Sequence, residues 1–391
     1  MKKTISLIII VVMLLLCTTT VFAKNEIKSE AENNNSLGDV SAKSAVLMEA
    51  ETGKIIYSKN EEEALPPASV TKIMTLLLAA EALDSGSFAL SDKVKISSHA
   101  ASMGGSQVFL EEGEEISVEE LIKCAVIASA NDAATALAEL VSGSESAFVE
   151  KMNSRAKELG MTSSNFENVT GLDDTTQNHV TSAKDIAIMS RELISHDVIL
   201  KYSSLWQDSI RNGEFTLTNT NRLVRFYDGC NGLKTGSTDK AGYCISATAK
   251  RGDLQLIAVV MGSETRDIRN NIARELLDFG FACYKLFVED EAPIKDLPVK
   301  FGTKSYATVY EGGFKDLVRK EDYKNIEKVY VLPESLSAEI KKNEPVGRVD
   351  YMLNGEKIGE AHVYCKENIE RLSFLKLWSI VIKDVFVCRK L

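Results

Sequence analysis

Ala68-Ser69-Val70-Thr71-Lys72 is the stretch on which the reading of this chain turns. Pro66 and Pro67 precede it, and Ile73, Met74, Leu76, Leu77, Leu78, Ala79, Ala80 and Leu83 follow almost without a polar break. Proline readily precedes a helix but is not tolerated inside one, and so apolar a run predicts a helix buried nearly all round. Ser69 and Lys72 then lie one turn apart on one face, with Cβ atoms about 5–6 Å from each other. An amine can touch a hydroxyl at that spacing, which makes Ser69 a candidate nucleophile and Lys72 its base. Unpaired N–H groups and the positive dipole end at the helix N-terminus favour negative charge developing beside the serine.

Ser-x-x-Lys is weak evidence by itself. It occurs at Ser69, Ser154, Ser237 and Ser373, and any one of these also reads as a helix start or a solvated face. Two motifs downstream single out Ser69: Ser129-Ala130-Asn131, then Lys234-Thr235-Gly236. Ser-x-Asn recurs at Ser58 and Ser163, whereas Lys-Thr-Gly occurs once. Ser117 and Glu120 form a capping-box pattern opening a helix through Ile127, and a second helix runs from Asn131 towards Val141. Ser129 falls at the corner between them, where a hydroxyl and an amide can be pushed into a cleft. Asn131 fits a plain N-cap equally well. Residues 232–238, 243–250 and 254–261 read as three adjacent antiparallel strands, which puts Lys-Thr-Gly on a strand beside the cleft. Gly236, lacking a side chain, lets a peptide lie against that strand. Thr235 and Lys234 suit a terminal carboxylate, and the charge of Lys234 lowers the pKa of Lys72 so that a neutral amine exists.

In this order the three motifs resemble those of the low-molecular-mass penicillin-binding proteins that are D-alanyl-D-alanine carboxypeptidases. The resemblance implies an α+β fold. A β-lactamase/transpeptidase-like catalytic domain, an antiparallel sheet with helices, is followed by a small all-β domain and a C-terminal amphipathic helix. It implies Ser69, Lys72 and Ser129 as catalytic, and Asn131, Lys234, Thr235, Gly236 and Ser237 as substrate-binding. The backbone N–H groups of Ser69 and Ser237 would form the oxyanion hole. Some relatives carry histidine at Ser237 and glycine at Ala130. The implied reaction removes the terminal D-alanine from peptidoglycan stem pentapeptides, with β-lactams as covalent inhibitors and no cofactor. A β-lactamase shares the acylation step, but no Glu-x-x-Leu-Asn-like stretch primes a deacylating water, and β-lactamases do not usually carry a β domain or tail. A non-catalytic cell-wall binding protein should tolerate loss of motif residues, and all three motifs are intact. Residues 165–174 resemble the loop beside the family's active site and receive no chemistry, with Asp173 and Asp174 read as turn formers. Asn219, Asn221 and Arg222 fall in a region lining the family's substrate site.

The ends of the chain are distinctive. Met1-Lys2-Lys3, an apolar stretch from Ile5 to Cys17, and Val21-Phe22-Ala23 read as a signal peptide over residues 1–23. A flexible leader is expected over 24–43, the peptidase domain over 44–288, the all-β domain over 292–368, and a membrane-anchor helix over 369–391. A helix over 266–286 is expected to pack back on the sheet. A net charge of −10 argues against nucleic acid, and four scattered histidines argue against a metal site. Cysteines show no close paired spacing that would suggest a disulfide framework. In the tail, Phe374, Leu377, Trp378, Val381, Val385 and Cys388 share one stripe, while Lys376, Lys383 and Lys390 recur on another. A basic tail on an acidic body suits a helix lying in an anionic membrane surface, so the expected location is peripheral, on the outer face of the cell membrane.

Overall fold

The computed structural model describes residues 40–174 and 176–387. The expected signal peptide and almost all of the leader lie outside the described residues. Strands β1 (Ser44–Glu49) and β2 (Ile55–Lys59) form the first hairpin. With β3 (Cys230–Thr238), β4 (Gly242–Arg251) and β5 (Leu254–Ser263) they build an antiparallel sheet in the order β2-β1-β5-β4-β3. Successive side chains of a strand point to opposite faces. Ala45 and Leu47 therefore join Ile245, Ala247, Leu256 and Ala258 on one side, while Val46 and Met48 join Ile257, Val259 and Met261 on the other.

The second face is covered by helices. The central one, α1 (Lys72–Asp84), has ten of its thirteen residues buried, so it is core rather than surface. Each fully buried leucine there contributes roughly 1.5–3 kcal/mol. Against it pack α3 (Asn131–Ser142) and α4 (Ala183–Leu193), and α2 (Val118–Lys123) packs in turn on α3. The capping box at α2 forms as expected, with the Ser117 hydroxyl accepting from Glu120 N and the Glu120 carboxylate accepting from Ser117 N. α5 (Arg266–Cys283) covers the opposite face of the sheet.

α5 stops earlier than the expected 286, because Tyr284 begins a strand. β6 (Tyr284–Glu289) pairs with β9 (Phe314–Arg319), so residues 284–288 are claimed by the C-terminal part of the chain. The order β10-β12-β13-β8-β7-β11 describes the larger sheet there, built from β7 (Ala292–Lys300), β8 (Tyr306–Glu311), β10 (Ile326–Val331), β11 (Leu336–Ser337), β12 (Pro345–Leu353) and β13 (Glu356–Cys365). Asn354 and Gly355 turn β12 into β13 with φ of 51° and 85°, as an Asn-Gly hairpin requires. α6 (Phe374–Val387) closes the described chain. It begins later than the expected 369, because Ile369 is buried and pairs with Ile340 in the β domain. Ion pairs of Lys54 with Asp316 (2.5 Å) and Lys315 with Glu51 (2.6 Å) link the first hairpin turn to β9.

Candidate active site

Ala68–Thr71 forms a single 3-10 turn leading into α1. Residues three apart eclipse in such a turn, so Lys72 stacks over Ser69 and its Nζ lies 3.1 Å from Ser69 Oγ. Lys72 is wholly buried, and Nζ also donates to Thr170 O at 2.8 Å. Burial first, and then the charge of Lys234, hold its pKa well below the ordinary lysine value, while Asp132 pulls it back up. A buried amine beside a second cation is a neutral base in waiting.

Ser129 arrives by a local device that periodicity does not show. The helix from Ser117 does not run straight on; Cys124–Ala128 widens into a π turn and Ser129 caps it with a left-handed φ of 63°. Such bulges re-aim side chains. The Ser129 hydroxyl accepts from Lys234 Nζ at 2.6 Å, and Nζ also donates to Thr235 O at 2.9 Å. Burial and then Arg269 lower the Lys234 pKa to about 7. Arg269 is itself buried, and burial followed by the charge of Arg266 brings it down to about 10.

Gly236 has a sharper role than leaving room for substrate. A Cβ there would sit 2.8 Å from Ser69 N, 2.9 Å from Val70 N and 3.0 Å from Pro67 O, so β3 rests directly on the Ser69 turn. Ser237 follows, exposed at the cleft. A cavity of about 430 Å³ is lined by Ser69, Ser129, Thr235, Gly236 and Ser237 together with Arg222, Arg266 and Arg269. Asn219 also lines it, whereas Asn221 is buried behind, with Nδ2 donating to Gly232 O at 2.7 Å. Asn131 is the first residue of α3 and not its N-cap, which is Ala130. Its Nδ2 donates to Gly104 O at 2.6 Å and its backbone N to Ser106 O at 2.7 Å, so it orders the cleft rim. Oδ1 has no partner among the described residues. Nδ2 carries a second N–H besides the one given to Gly104 O.

The loop given no chemistry supports the Ser69 turn. Besides Thr170 O on Lys72, Gly171 (φ 82°) lies so close that a Cβ would meet Ala68 O at 1.8 Å. Ala68 holds an unusual φ of 48°, fixed by Thr71 Oγ1 donating to its carbonyl at 2.8 Å. His179 backs this turn: Nδ1 accepts from Glu167 N at 3.0 Å, so Nε2 carries the proton and donates to Thr71 Oγ1 at 2.7 Å. Burial lowers its pKa to about 4, which keeps it neutral. Asp173 is more than a turn former, because its carboxylate accepts from Thr238 Oγ1 at 2.5 Å and ties the loop to β3.

A family model described as D-alanyl-D-alanine carboxypeptidase matches residues 28–265. The chain belongs to the D-alanyl-D-alanine carboxypeptidase family. A second model, the C-terminal domain of penicillin-binding protein 5, matches residues 281–371. The D-alanyl-D-alanine carboxypeptidase DacF of Bacillus subtilis is 43% identical over 383 residues, covering 96% of each chain. DacC of Escherichia coli is 35% identical over 364 residues, covering 90% of each. The crystal structure of penicillin-binding protein 5 from Haemophilus influenzae superposes with a TM-score of 0.75 at 30% identity, covering 86% of this chain and 99% of that one. Penicillin-binding protein D2 of Listeria monocytogenes, solved in its ampicillin-bound form, matches at TM-score 0.58 and 32% identity over 63% of this chain and all of that one. This carboxypeptidase is therefore a serine-type hydrolase of the penicillin-binding protein family, with the α+β catalytic fold and all-β C-terminal domain of its relatives.

Proposed function

We propose that Ser69 attacks the penultimate carbonyl of a peptidoglycan stem peptide ending in D-Ala-D-Ala, with neutral Lys72 taking the hydroxyl proton. The developing oxyanion accepts from Ser69 N and Ser237 N. Ser129, held by Lys234, relays that proton from Lys72 to the leaving nitrogen as the C–N bond breaks and D-alanine departs, which leaves Lys72 neutral again. Water then attacks the Ser69 ester; its hydroxyl goes to the acyl carbon and its proton, through Lys72, restores Ser69. Lys234, Thr235 and Arg269 take the terminal carboxylate, and the second N–H of Asn131 Nδ2 holds a carbonyl of the acyl portion. A β-lactam enters the same path as a covalent inhibitor. The observation that carries the reading is the 3.1 Å contact between Ser69 Oγ and a fully buried lysine amine.

Benzylpenicillin is expected to add its mass to one tryptic peptide, residues 60–72, and to leave a Ser69→Ala protein unlabelled. Label on another peptide, or on the Ser69→Ala protein, would overturn the nucleophile assignment.

The reading extends to location. A signal peptide over 1–23 would export the chain, and α6 would attach it peripherally to the outer face of the cell membrane. Phe374 (75% exposed), Leu375 (81%) and Trp378 (54%) leave α6 unpacked against the body, which supports that role. Among the described residues no helix is long and apolar enough to cross a membrane.

A further inference from the structure

We propose that the turn between β7 and β8 is a second membrane-contacting surface, seating Phe301 and Tyr306 in the bilayer interface beside the root of α6. The proposal rests on the reading of α6 as the anchor. Phe301 is 48% exposed and Tyr306 62% exposed. Phe301 also holds a left-handed φ of 60°, an unfavourable backbone for a bulky residue that turns it out of the strand. The turn is nonetheless rigid. Gly302 is packed so closely that a Cβ would meet Val299 Cγ1 at 2.7 Å, and Thr303 N donates to Glu370 O at 2.9 Å.

The turn is fixed to the segment that enters α6. Leu372 N donates to Phe301 O at 2.8 Å, and the Arg371 guanidinium stands 5.8 Å over the Phe301 ring. At whatever angle α6 leaves the domain, Phe301 stays beside Leu372, two residues before Phe374. An interface that receives Phe374 and Trp378 therefore receives Phe301 as well. Aromatic rings with one wet edge are favoured at that depth.

Charge at this end permits the approach. Lys300, Lys304, Lys341, Lys342 and Arg371 stand against Glu339, Glu344, Glu367 and Glu370, all exposed but the half-buried Glu367. The end is close to neutral in a chain of net charge −10, so it faces an anionic headgroup layer without the repulsion the rest of the body would meet.

The test is vesicle flotation with the chain expressed from Lys24, comparing it with Phe301→Asn/Tyr306→Thr. Asparagine tolerates the left-handed backbone and threonine suits a strand, and an unchanged unfolding transition of the β domain in denaturant shows that the variant is folded. Two vesicle compositions are used, phosphatidylcholine alone and phosphatidylcholine with phosphatidylglycerol. The double variant is expected to bind both roughly tenfold more weakly, because uncharged rings are removed. Equal binding by the variant overturns the second surface and leaves the anchor standing. A loss on anionic vesicles alone overturns the insertion of rings. Failure of the unaltered chain to float on either composition overturns the anchor and this surface together.

Discussion

A lysine can take a proton from a serine only while its own amine is neutral, and two features of the site secure that condition. Burial removes the water that would solvate the ammonium, and Lys234 adds a like charge. Lys72→Ala is expected to slow acylation by about 10³-fold or more, as loss of a general base does, in a stopped-flow assay with a chromogenic β-lactam. Acylation of the variant at the unaltered rate would show that another group is the base. Lys234, proposed to meet a carboxylate, has the opposite requirement, since it would do so as an ammonium. With its pKa lowered to about 7, its charge is present below that pH and lost above it. The profile of kcat/KM should therefore fall near pH 7 as Lys234 deprotonates. In kcat the falling limb should move to higher pH, because bound carboxylate favours the charged lysine. Lys234→Gln should lower kcat/KM and remove the falling limb; a limb that persists in this variant assigns it elsewhere. The serines and lysines of the site were legible as motifs. Thr170 was not, because it acts through a carbonyl that any residue possesses, and neither was His179, whose meeting with Thr71 spans 108 positions.

At the scale of elements, the site depends on two glycines that let backbone touch backbone. Gly236 brings β3 against Ser69 N and Val70 N, which sets the distance between the Ser69 and Ser237 amides. Gly236→Ala is expected to widen that gap and to slow acylation by about 10²-fold, the scale of one lost oxyanion donor. Gly171 sets the loop against Ala68 O at a positive φ, where an added Cβ has no rotamer by which to escape. Gly171→Ala is expected to cost about 2–5 kcal/mol of stability in denaturant unfolding, from left-handed strain and overpacking together. Stability unchanged in Gly171→Ala would mean the loop shifts freely and does not hold the nucleophile turn. The three strands at 230–263 and α1 were legible because apolar runs, Gly turns and the paired prolines all agree. The ends of two helices were not. The π turn at Cys124–Ala128 and the stop of α5 at Cys283 are decided by distant partners: the cleft that Ser129 serves, and the strand β9 that claims Tyr284.

At the scale of the molecule, catalysis and position are assigned to different parts of the chain. Ser69, Ser129 and Lys234 belong to the sheet-and-helix body, while the β domain ends in a helix that leaves Phe374, Leu375, Trp378, Ile380, Val381 and Ile382 exposed. The amphipathic stripe was visible in the sequence, but where the proposed anchor should be cut was not. Ending the chain near 368 would remove Ile369, 1% exposed, and the pairing of Leu372 with Phe301, both of which belong to the β domain. The informative truncation follows Ser373. It should release the protein into the soluble fraction while D-alanine release from a small soluble peptide stays within about twofold, since Ser69, Ser129 and Lys234 belong to the sheet-and-helix body and the removed residues follow the β domain. The basic repeat adds an electrostatic share. Replacing Lys376, Lys383 and Lys390 by Gln should weaken attachment to anionic vesicles by up to about 1 kcal/mol per charge at low salt, and by less as salt screens the surface. Truncated protein that stays with membranes would place the attachment outside α6; truncated protein that loses activity through unfolding would make α6 a structural helix.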